Sequence, residues 1–475
     1  MSSLYKEIAI SLAREIDEGV YEPGDKVPGI RELKLSRKVS VSTAVAAYRQ
    51  LEEDGYIEAR ARSGFYVSKR RSVQFAEPSL ESLSKRPGLV AEKARVLLLT
   101  EQLNKSGVVK LGAAVPDGHF LPGQWLKRVS AELLREQPLS AVLYEDPLGA
   151  ADLRQQLCKR MKLLRCGCRP QDLIVTSGCQ EAVFLALKAL TRPGDVVALE
   201  SPSYHGHIQL LDALGLKAIE IPSDPRKGIS LEAFQLAIEQ WPVKVCLLIP
   251  NFSNPLGSCM SDARKKKLVS LAAEHSVHLI EDDIYGDLDF ANKRPLPLKA
   301  WDKHNNVTYC SSFSKTLAPG MRIGWLLNSA LIEAVEYQKI ITNVAVSSLP
   351  QHIIARVLQS GRYEKHLRYV RQELQQSMQK MRAAVARYFP RETRMTSPSG
   401  GYVLWLELPG NVDAVEVSEL MIRKNISVAP GPMFSANGKY QNYMRLSFAV
   451  AWNADIEKAI QALGRCIYAK SSAQG

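Results

Sequence analysis

The sequence lacks any long apolar run. No stretch approaches the roughly 18 consecutive apolar residues that a membrane-spanning helix needs, which excludes a helical integral membrane protein. The first 19 residues mix acidic and basic side chains at close spacing, with neither the basic start nor the continuous apolar core of a signal peptide. We therefore expect a cytoplasmic protein that has no membrane partner.

The chain also has little that points to disulfides or metal ions. Its eight cysteines are spread over 475 residues, and none of them belongs to a C-x-x-C pair. Cys166 and Cys168 form one C-x-C pair, without the cluster of histidines or cysteines that a metal site needs. This pattern favours reduced thiols, so we expect neither a disulfide framework nor a metal site.

Length and charge set the next limits. At roughly 100–200 residues per domain, 475 residues predict two to four domains. Hydrophobic residues make up 46% and charged residues 23%, which is ordinary for a globular protein. The formal net charge of +13 indicates an anionic partner, such as nucleic acid or a phosphorylated ligand.

Three regions differ in composition and in hydrophobic pattern, and we assign them to residues 1–71, 72–105 and 106–475. In the first region, short amphipathic segments precede two short β segments, which predicts a winged helix-turn-helix. The second region has scattered serines and two prolines, which is typical of a linker, and allows a helix within Ala91–Leu103. The elements predicted in the first region are helices over Ile30–Arg37 and from the N-cap Ser42 to Asp54, and β segments over Tyr56–Ala59 and Phe65–Ser68.

The second half of the first region carries its positive charge, with nine basic and four acidic residues between Leu33 and Arg71. This surplus predicts a DNA-facing surface, on which a recognition helix meets the major groove and basic side chains reach phosphates. The pattern alone favours this hypothesis only slightly over a small helical protein-interaction domain. The candidate DNA-binding residues are Arg31, Lys34, Lys38, Ser42, Thr43, Arg49, Arg60 and Arg62.

Three ordered blocks resemble the GntR-type winged helix. They are PGDKVPGIREL at Pro23–Leu33, AYRQLEEDGY at Ala47–Tyr56 and SGFYV at Ser63–Val67. The resemblance covers about Leu4 to Ser68 and implies that Arg31 contacts DNA. Ser42 stands where the family often has an arginine at the start of the recognition helix, so the operator sequence does not follow from the resemblance.

From about Lys110 onward, short apolar segments alternate with longer periodic ones. The apolar segments are typical of buried strands, so we predict an α/β fold with a mostly parallel sheet that helices cover on both faces. After about Leu331 the pattern turns helical and then mixed, which predicts a smaller α+β subdomain. The predicted strands include Val196–Leu199, Ala218–Ile221, Val245–Ile249, Val277–Ile280, Val307–Cys310, Gly400–Leu406 and Tyr443–Phe448.

The chemistry concentrates in the segment CSSFSKTLAPGMRIGW at Cys310–Trp325. Lys315 follows an apolar strand and stands among hydroxyl groups, where its amine is able to form a Schiff base with an aldehyde cofactor. Ser312 and Arg322 are candidates for holding a phosphate. An ordinary surface loop is the alternative. The S-x-x-K of penicillin-binding proteins and β-lactamases also matches here, but the chain has neither S-D-N nor K-T-G, which argues against that class.

Four further stretches place polar and aromatic residues after predicted strands, where open α/β sheets bind their ligands. TSGCQE opens a helix at Thr176, and a helix N-terminus favours phosphate. SPSY ends at Tyr204, and NFSNPLG contains Asn254. EDDIY brings Asp282 and Tyr285 to the end of another strand.

Neighbours of these stretches receive no role from the sequence. Asp283 follows Asp282 directly, and we interpret it as a solvated neighbour. His205 and His207 follow Tyr204, and their positions are as compatible with the protein surface as with a ligand pocket.

Together and in this order, the stretches resemble class I, fold type I pyridoxal-phosphate proteins of the aspartate-aminotransferase type, from roughly Leu111 to the end. The resemblance implies that Lys315 is the catalytic Schiff-base lysine, that Asp282 pairs with the pyridine nitrogen, and that Arg445 clamps an amino-acid carboxylate. Tyr144 would reach the phosphate across a dimer interface. The residues implied to bind pyridoxal 5'-phosphate are Tyr144, Ser177, Gly178, Cys179, Tyr204, Asn254, Asp282, Tyr285, Ser312, Lys315 and Arg322.

A GntR-type winged helix followed by an aminotransferase-like domain resembles the MocR/GabR group of bacterial transcription regulators. The resemblance implies a head-to-tail homodimer that binds promoter DNA and senses a small amine, an amino acid or pyridoxal phosphate itself. The alternative hypothesis is a working aminotransferase that carries a DNA-binding arm, since every cofactor residue and Arg445 is present. A sensor that has lost its cofactor is a third hypothesis, and the intact Lys315 and Asp282 argue against it.

Overall fold

The computed structural model describes residues 4–17, 20–22, 24–53, 56–60, 63–68, 75–80, 82, 86–89 and 107–472. The chain forms two compact units, Met1–Phe75 and Ala76–Gly475. Three sequence predictions fall outside the described residues: the helix end at Asp54, the DNA contact of Arg62 and the helix within Ala91–Leu103.

The described part of the first unit has three helices followed by an antiparallel hairpin. They are α1 (Leu4–Asp17), α2 (Ile30–Ser36), α3 (Val41–Glu53), β1 (Ile57–Arg60) and β2 (Gly64–Val67). Ile8 and Leu12 of α1 pack with Leu33, Ala44 and Leu51 in one buried core. Because each helix gives only one apolar face to this core, the periodicity of the sequence was enough to predict the order of elements.

The start of α3 differs from the prediction. We predict Ser42 as the N-cap, but α3 begins at Val41 and Ser42 lies inside the helix. The Ser40 hydroxyl accepts the backbone N–H of Thr43 at 3.1 Å, which satisfies a donor that has no partner within the helix. The prediction is wrong because two serines stand two residues apart, and periodicity does not distinguish which one caps.

The second unit contains a large sheet, a small sheet, one further pair of strands (Val109–Lys110 with Ile426–Ser427) and the helices around them. Its strands are β3 (Gly88–Leu89), β4 (Val109–Lys110), β5 (Leu173–Thr176), β6 (Val196–Ser201), β7 (Lys217–Asp224), β8 (Gly228–Ile229), β9 (Val243–Leu248), β10 (His278–Asp282), β11 (Val307–Ser312), β12 (Gly324–Leu327), β13 (Arg394–Met395), β14 (Val403–Glu407), β15 (Ile426–Ser427), β16 (Ala429–Pro430) and β17 (Tyr443–Ser447). Its helices are α4 (Gly123–Glu136), α5 (Ala151–Leu163), α6 (Cys179–Leu190), α7 (His205–Ala213), α8 (Leu231–Gln240), α9 (Asp262–Glu274), α10 (Ile332–Asn343), α11 (Ser348–Gln359), α12 (Arg362–Tyr388), α13 (Ala414–Ile422) and α14 (Ala454–Ser472).

The large sheet runs in the order β3-β7-β6-β9-β10-β11-β12-β5, with β8 paired to β7. Strands β7, β6, β9, β10 and β11 are parallel to their neighbours in this series, whereas β12 is antiparallel to both β11 and β5. This mixed, mostly parallel sheet confirms the predicted fold class. Because parallel strands end at the same edge, the segments that follow β6, β10 and β11 lie close together.

The small sheet is antiparallel, in the order β13-β14-β17-β16. Trp405 of β14 lies opposite Arg445 of β17, which places this arginine in a central, buried strand. The strand β3 belongs to the predicted linker, and it pairs with β7 of the large sheet through Gly88 and Ala218. This part of the linker is therefore attached to the second unit.

All eight cysteines are free thiols. None of the described helices has the length and apolar character needed to cross a bilayer. Within the described ranges, no three histidine, cysteine or carboxylate side chains come together as a metal ion would require.

The Ser40 cap gives a first testable prediction. Replacing Ser40→Ala leaves the Thr43 N–H without its hydroxyl acceptor, and loss of such a cap costs about 1 kcal/mol. Hydrogen exchange of the α3 amides in the full chain should show their opening free energy lowered by about that amount. Ser42→Ala is the matched control and should have a smaller effect, because Ser42 lies inside the helix. The opposite ranking would restore Ser42 as the cap.

Candidate functional site

Asp282 ends β10 and lies at the centre of the strand-end edge of the large sheet. It is 3% exposed, and its two carboxylate oxygens are each contacted by one side chain. The thiol of Cys179, the first residue of α6, donates to Oδ1 at 3.2 Å. The Nε2 atom of His207 lies 3.1 Å from Oδ2. A carboxylate held this way is oriented to face a cationic partner.

His207 is a buried member of the site, and its alternative placement on the surface is wrong. It is 1% exposed and packs edge-on against Tyr204, with the ring centroids 5.3 Å apart. The spacing offered a signal, because residues three apart lie on one face of a helix and His207 follows Tyr204 by three.

A narrow loop precedes α6 and meets Arg322. Gly178 has φ 96°, and a Cβ atom added to it would lie 2.4 Å from Nη2 of Arg322. Arg322 donates to the carbonyl of Ser177 at 3.0 Å and to the hydroxyl of Ser314 at 3.3 Å. The Ser312 hydroxyl accepts the N–H of Ser314 at 3.4 Å. These contacts bring together the residues that are predicted to bind a phosphate. A helix N-terminus and a guanidinium therefore lie at one place.

Lys315 follows β11 and reaches into the same space. Its Nζ donates to the carbonyl of Ala114 at 2.7 Å. Burial and the nearby charge of Arg445 lower the pKa of Lys315 to about 8, although Asp282 acts in the opposite direction. The phenol of Tyr402 donates to the backbone carbonyl of Lys315, a contact that the sequence analysis missed. A lysine with a lowered pKa is partly neutral near pH 8 and can act as a nucleophile or a base.

Arg445 is the second buried cation of the site. It is 3% exposed, and burial lowers its pKa to about 10. Its guanidinium donates to Oδ1 of Asn254 at 2.8 Å and to the carbonyl of Gly112. Its Nε is buried and has no hydrogen-bond acceptor among the described residues. The Asn254 amide lies 3.5 Å from the phenol of Tyr285, so Asn254 connects two of the predicted residues.

Tyr204 precedes α7 and packs closely against its first turn. A Cβ atom added to Gly206 would lie 2.4 Å from the Tyr204 ring. Tyr144 behaves differently, since it is 89% exposed and does not join the other predicted residues within one chain. Its loop is fastened by Ser348, whose hydroxyl donates to the Leu143 carbonyl at 2.7 Å.

Asp283 is not a solvated neighbour, so that prediction is wrong. The carboxylate is 2% exposed and pairs with Arg294 at 2.7 Å. It also accepts from the amide of Asn251 at 2.9 Å and the phenol of Tyr309 at 3.1 Å. The charge of Asp283 is therefore paired with Arg294, and three donors hold this carboxylate in place next to Asp282. The burial of Asp283 is not visible in the sequence, because its partners lie in three other segments.

The site residues fit a phosphorylated aldehyde cofactor such as pyridoxal 5'-phosphate. The half-buried Lys315, the buried carboxylate of Asp282 and the ring of Tyr204 lie beside a loop in which Gly178 leaves room for Arg322. The unpartnered Nε of Arg445 offers a further donor for an anion. This donor set suits a ligand that carries a phosphate, a carbonyl carbon and a basic ring nitrogen.

In the first unit, the candidate DNA-binding residues lie at the surface. Arg31, Lys34, Lys38, Ser42, Arg49 and Arg60 are exposed, and Thr43 is half-buried. Ser40, Ser42 and Thr43 form a hydroxyl cluster at the start of α3, with oxygen separations of 2.8 Å from Ser40 to each of the others. The cluster therefore presents short polar groups at the start of α3.

The hairpin holds Arg60 in place by contacts within the first unit. Arg60 pairs with Glu58 at 2.8 Å, and its guanidinium lies 4.3 Å from the ring centre of Tyr66.

Sequence reasoning missed Val41 and Val45, which are 47% and 43% exposed one turn apart on α3. Exposed apolar side chains on a recognition helix suit thymine methyl groups, and their i, i+4 spacing off the core face was the available signal.

A winged helix joined to a fold type I aminotransferase-like domain defines the class of the protein. Residues 107–463 match the family "Aminotransferase class I and II", and residues 4–67 match "Bacterial regulatory proteins, gntR family". The chain belongs to the class I and II aminotransferase family and, within it, to the MocR/GabR-type regulators that carry a GntR winged helix.

Similar proteins share the full architecture. The HTH-type transcriptional regulator YjiR of Escherichia coli (strain K12) is 38% identical over 98% of both chains. YisV of Bacillus subtilis (strain 168), also an HTH-type transcriptional regulator, is 29% identical over 97% of this chain and 95% of its own. Among solved structures, kynurenine aminotransferase from Pyrococcus horikoshii has a TM-score of 0.75 and 29% identity, and covers 80% of this chain and 95% of its own.

The pKa of Lys315 gives a second prediction, which concerns the cofactor-free chain. Cyanate reacts with neutral amines, so carbamylation of Lys315 should rise with pH and reach half its maximum at about pH 8 instead of the ordinary 10.5. Mass spectrometry of the Lys315 peptide measures this midpoint. Asp282→Asn removes the carboxylate that raises this pKa and should move the midpoint to lower pH. A midpoint near 10.5 in the wild-type chain would contradict the buried position of the amine.

Proposed function

We propose that this protein is a pyridoxal-phosphate-dependent transcription regulator that binds promoter DNA and senses a small amine, an amino acid or pyridoxal phosphate itself. One observation carries the proposal: the same chain has a GntR-type winged helix and a site in which Lys315, Asp282 and Arg445 converge. The relatives that share both parts over nearly their full length are named as HTH-type regulators.

The cofactor of this site is pyridoxal 5'-phosphate, which withdraws electrons from a carbon that bears an amino group. Lys315 would hold the carbonyl carbon, and Asp282 would face the ring nitrogen. Tyr204 would lie against the ring, while Asn254 and Tyr285 would bond its hydroxyl. The phosphate would be bound by Ser177, Gly178, Cys179, Ser312 and Arg322, and by Tyr144 of a second copy.

The effector would be held at its two ends. Its carboxylate would meet Arg445, whose guanidinium is buried and keeps an unpartnered Nε. A charge-assisted hydrogen bond in a buried site is stronger than one in water. Its amine would meet the cofactor at Lys315, whose lowered pKa suits both the release and the uptake of a proton near neutral pH. The site therefore favours amines with a carboxylate.

The proposed homodimer is head-to-tail, and Tyr144 lies at the centre of its interface. Tyr144 is 89% exposed, and the neighbouring Val142 and Leu143 are 73% and 60% exposed. Their loop is tied to α10 by Lys339, whose Nζ donates to the carbonyl of Pro147 at 2.6 Å. Helix α10 itself exposes Tyr337 and Ile341, at 63% and 58%. Such an apolar patch on a folded unit marks an interface, and a second copy would also complete the phosphate site.

The cytoplasm is the compartment we propose, because promoter DNA is the proposed partner of the winged helix.

A second candidate function is aminotransferase catalysis. It is favoured by the position of Lys315, whose amine with a pKa of about 8 can move a proton at the substrate carbon. The retained carboxylate clamp, Arg445, suits the same chemistry.

The DNA-binding part of the proposal is tested by promoter binding of the full chain. We expect specific binding to a repeated or palindromic site near its own or a neighbouring promoter, with log affinity falling by about 0.9 per log unit of salt for each phosphate contact. Arg31→Ala should weaken binding and relax specificity, by about 1–3 kcal/mol if the side chain reads a base. Lys6→Ala, an exposed charge on α1, is the control. Equal affinity for promoter and random DNA would refute the regulator hypothesis.

The effector part is tested by two readouts on one sample. Amino compounds should change the absorbance of the bound cofactor and the DNA affinity at the same concentrations, while little keto acid appears. Arg445→Ala should weaken carboxylated effectors in both readouts, because it removes the buried cation, and the cofactor should stay attached to Lys315, which serves as the control for folding. Turnover on the order of 1–1000 per second without any ligand effect on DNA binding would instead support the enzyme.

A further inference from the structure

His205 is a polar residue of the site that is not among the residues proposed to bind the cofactor. It is the first residue of α7 and packs against Tyr204 with ring centroids 4.6 Å apart. Its Nδ1 atom is buried and makes no hydrogen bond to any residue in the described part of the chain. A buried nitrogen without a partner costs free energy, so a ligand that bonds to it gains affinity.

The surroundings of His205 place it near the effector end of the site. The ring of Phe434 is contacted edge-on by His205, at 5.9 Å between centroids, and is covered by the Arg445 guanidinium at 4.9 Å. The unpartnered Nε of Arg445 and the unpartnered Nδ1 of His205 therefore lie beside one aromatic ring.

The imidazole of His205 is neutral in this position. Burial, together with the nearby positive charges of Arg445 and Lys315, lowers its pKa to about 3. A neutral imidazole exchanges hydrogen bonds with uncharged polar groups and supplies no counter-charge. The same two cations disfavour a positively charged group beside it.

We propose that His205 is a specificity-determining residue that hydrogen-bonds the side chain of the effector and selects amino acids whose side chain ends in an uncharged polar group, such as a carboxamide. Apolar side chains of the same length leave Nδ1 unpaired, and cationic ones find no counter-charge at the neutral imidazole. This inference rests on the proposed function, since it assumes that an amino acid occupies the site. A site built to bond a polar group discriminates strongly against an analogue that lacks it.

The test compares three amino acids of similar length: L-glutamine, L-norleucine and L-lysine. Each is titrated into the cofactor-loaded full chain, and the change in cofactor absorbance gives its Kd. We expect the wild type to bind L-glutamine at least about tenfold more tightly than either of the others. In His205→Phe, which keeps a ring but removes both nitrogens, the ratio between glutamine and norleucine should fall to within about threefold. His275→Phe, a change at the exposed histidine that directly follows α9, should keep the wild-type ratio.

The outcomes separate this inference from the proposed function. If no amino acid changes the cofactor spectrum of the wild type, the proposed function fails and the inference fails with it. If the wild type responds but shows no preference for L-glutamine, or if His205→Phe keeps that preference, only the inference is overturned. If His205→Phe loses the resting cofactor spectrum, His205→Leu and His205→Gln replace it. The leucine variant should then lose the preference and the glutamine variant should retain part of it, and any other ranking overturns the inference.

Discussion

The buried guanidinium of Arg445 is the constraint on which the rest of the site depends. A cation in a protein interior is costly unless an anion accompanies it, and the acceptors that Arg445 uses, Asn254 and Gly112, are neutral. Its charge acts on its neighbours and helps to lower the pKa of Lys315 to about 8 and that of His205 to about 3. In the proposed function, a carboxylate bound at Arg445 would supply the missing counter-charge, so the burial of the guanidinium is the physical reason to expect an anion there.

The position of Lys315 depends on contacts from outside its own strand. Tyr402, just before β14 of the small sheet, donates to the carbonyl of Lys315. Tyr363, in the first turn of α12, donates to the hydroxyl of Thr316 at 2.7 Å, and His366 lies 2.9 Å from the Thr316 carbonyl. Lys315 is therefore held by β11, which precedes it, by the segment before β14 and by helix α12. A side chain held from several directions keeps the geometry that its chemistry needs.

The sequence was sufficient for the features that depend on local pattern. Strands β6 and β9 contain the continuous apolar runs Val196–Leu199 and Val245–Leu248. Both faces of a parallel sheet are covered, so such runs are visible without a structure. Burial of polar groups was not predictable, because it depends on distant partners. Asp283 is buried only because Arg294 and Asn251 come to it from other segments, and the Ser40 cap depends on which of two similar serines faces the helix end.

The site also lies between the large and the small sheet of the second unit. Arg445 lies on β17 of the small sheet and Lys315 follows β11 of the large sheet, so an amino acid held at both ends bridges them. A ligand shifts a conformational equilibrium only by its difference in affinity for the two states. A charge-assisted hydrogen bond contributes about 1.5–3 kcal/mol, whereas a shift from 1:99 to 99:1 needs about 5.5 kcal/mol. The carboxylate contact alone is therefore too small for a full switch. For the proposed effector to act as a full switch, both of its ends must bind differently in the two states. An amine without a carboxylate should then produce only a partial response.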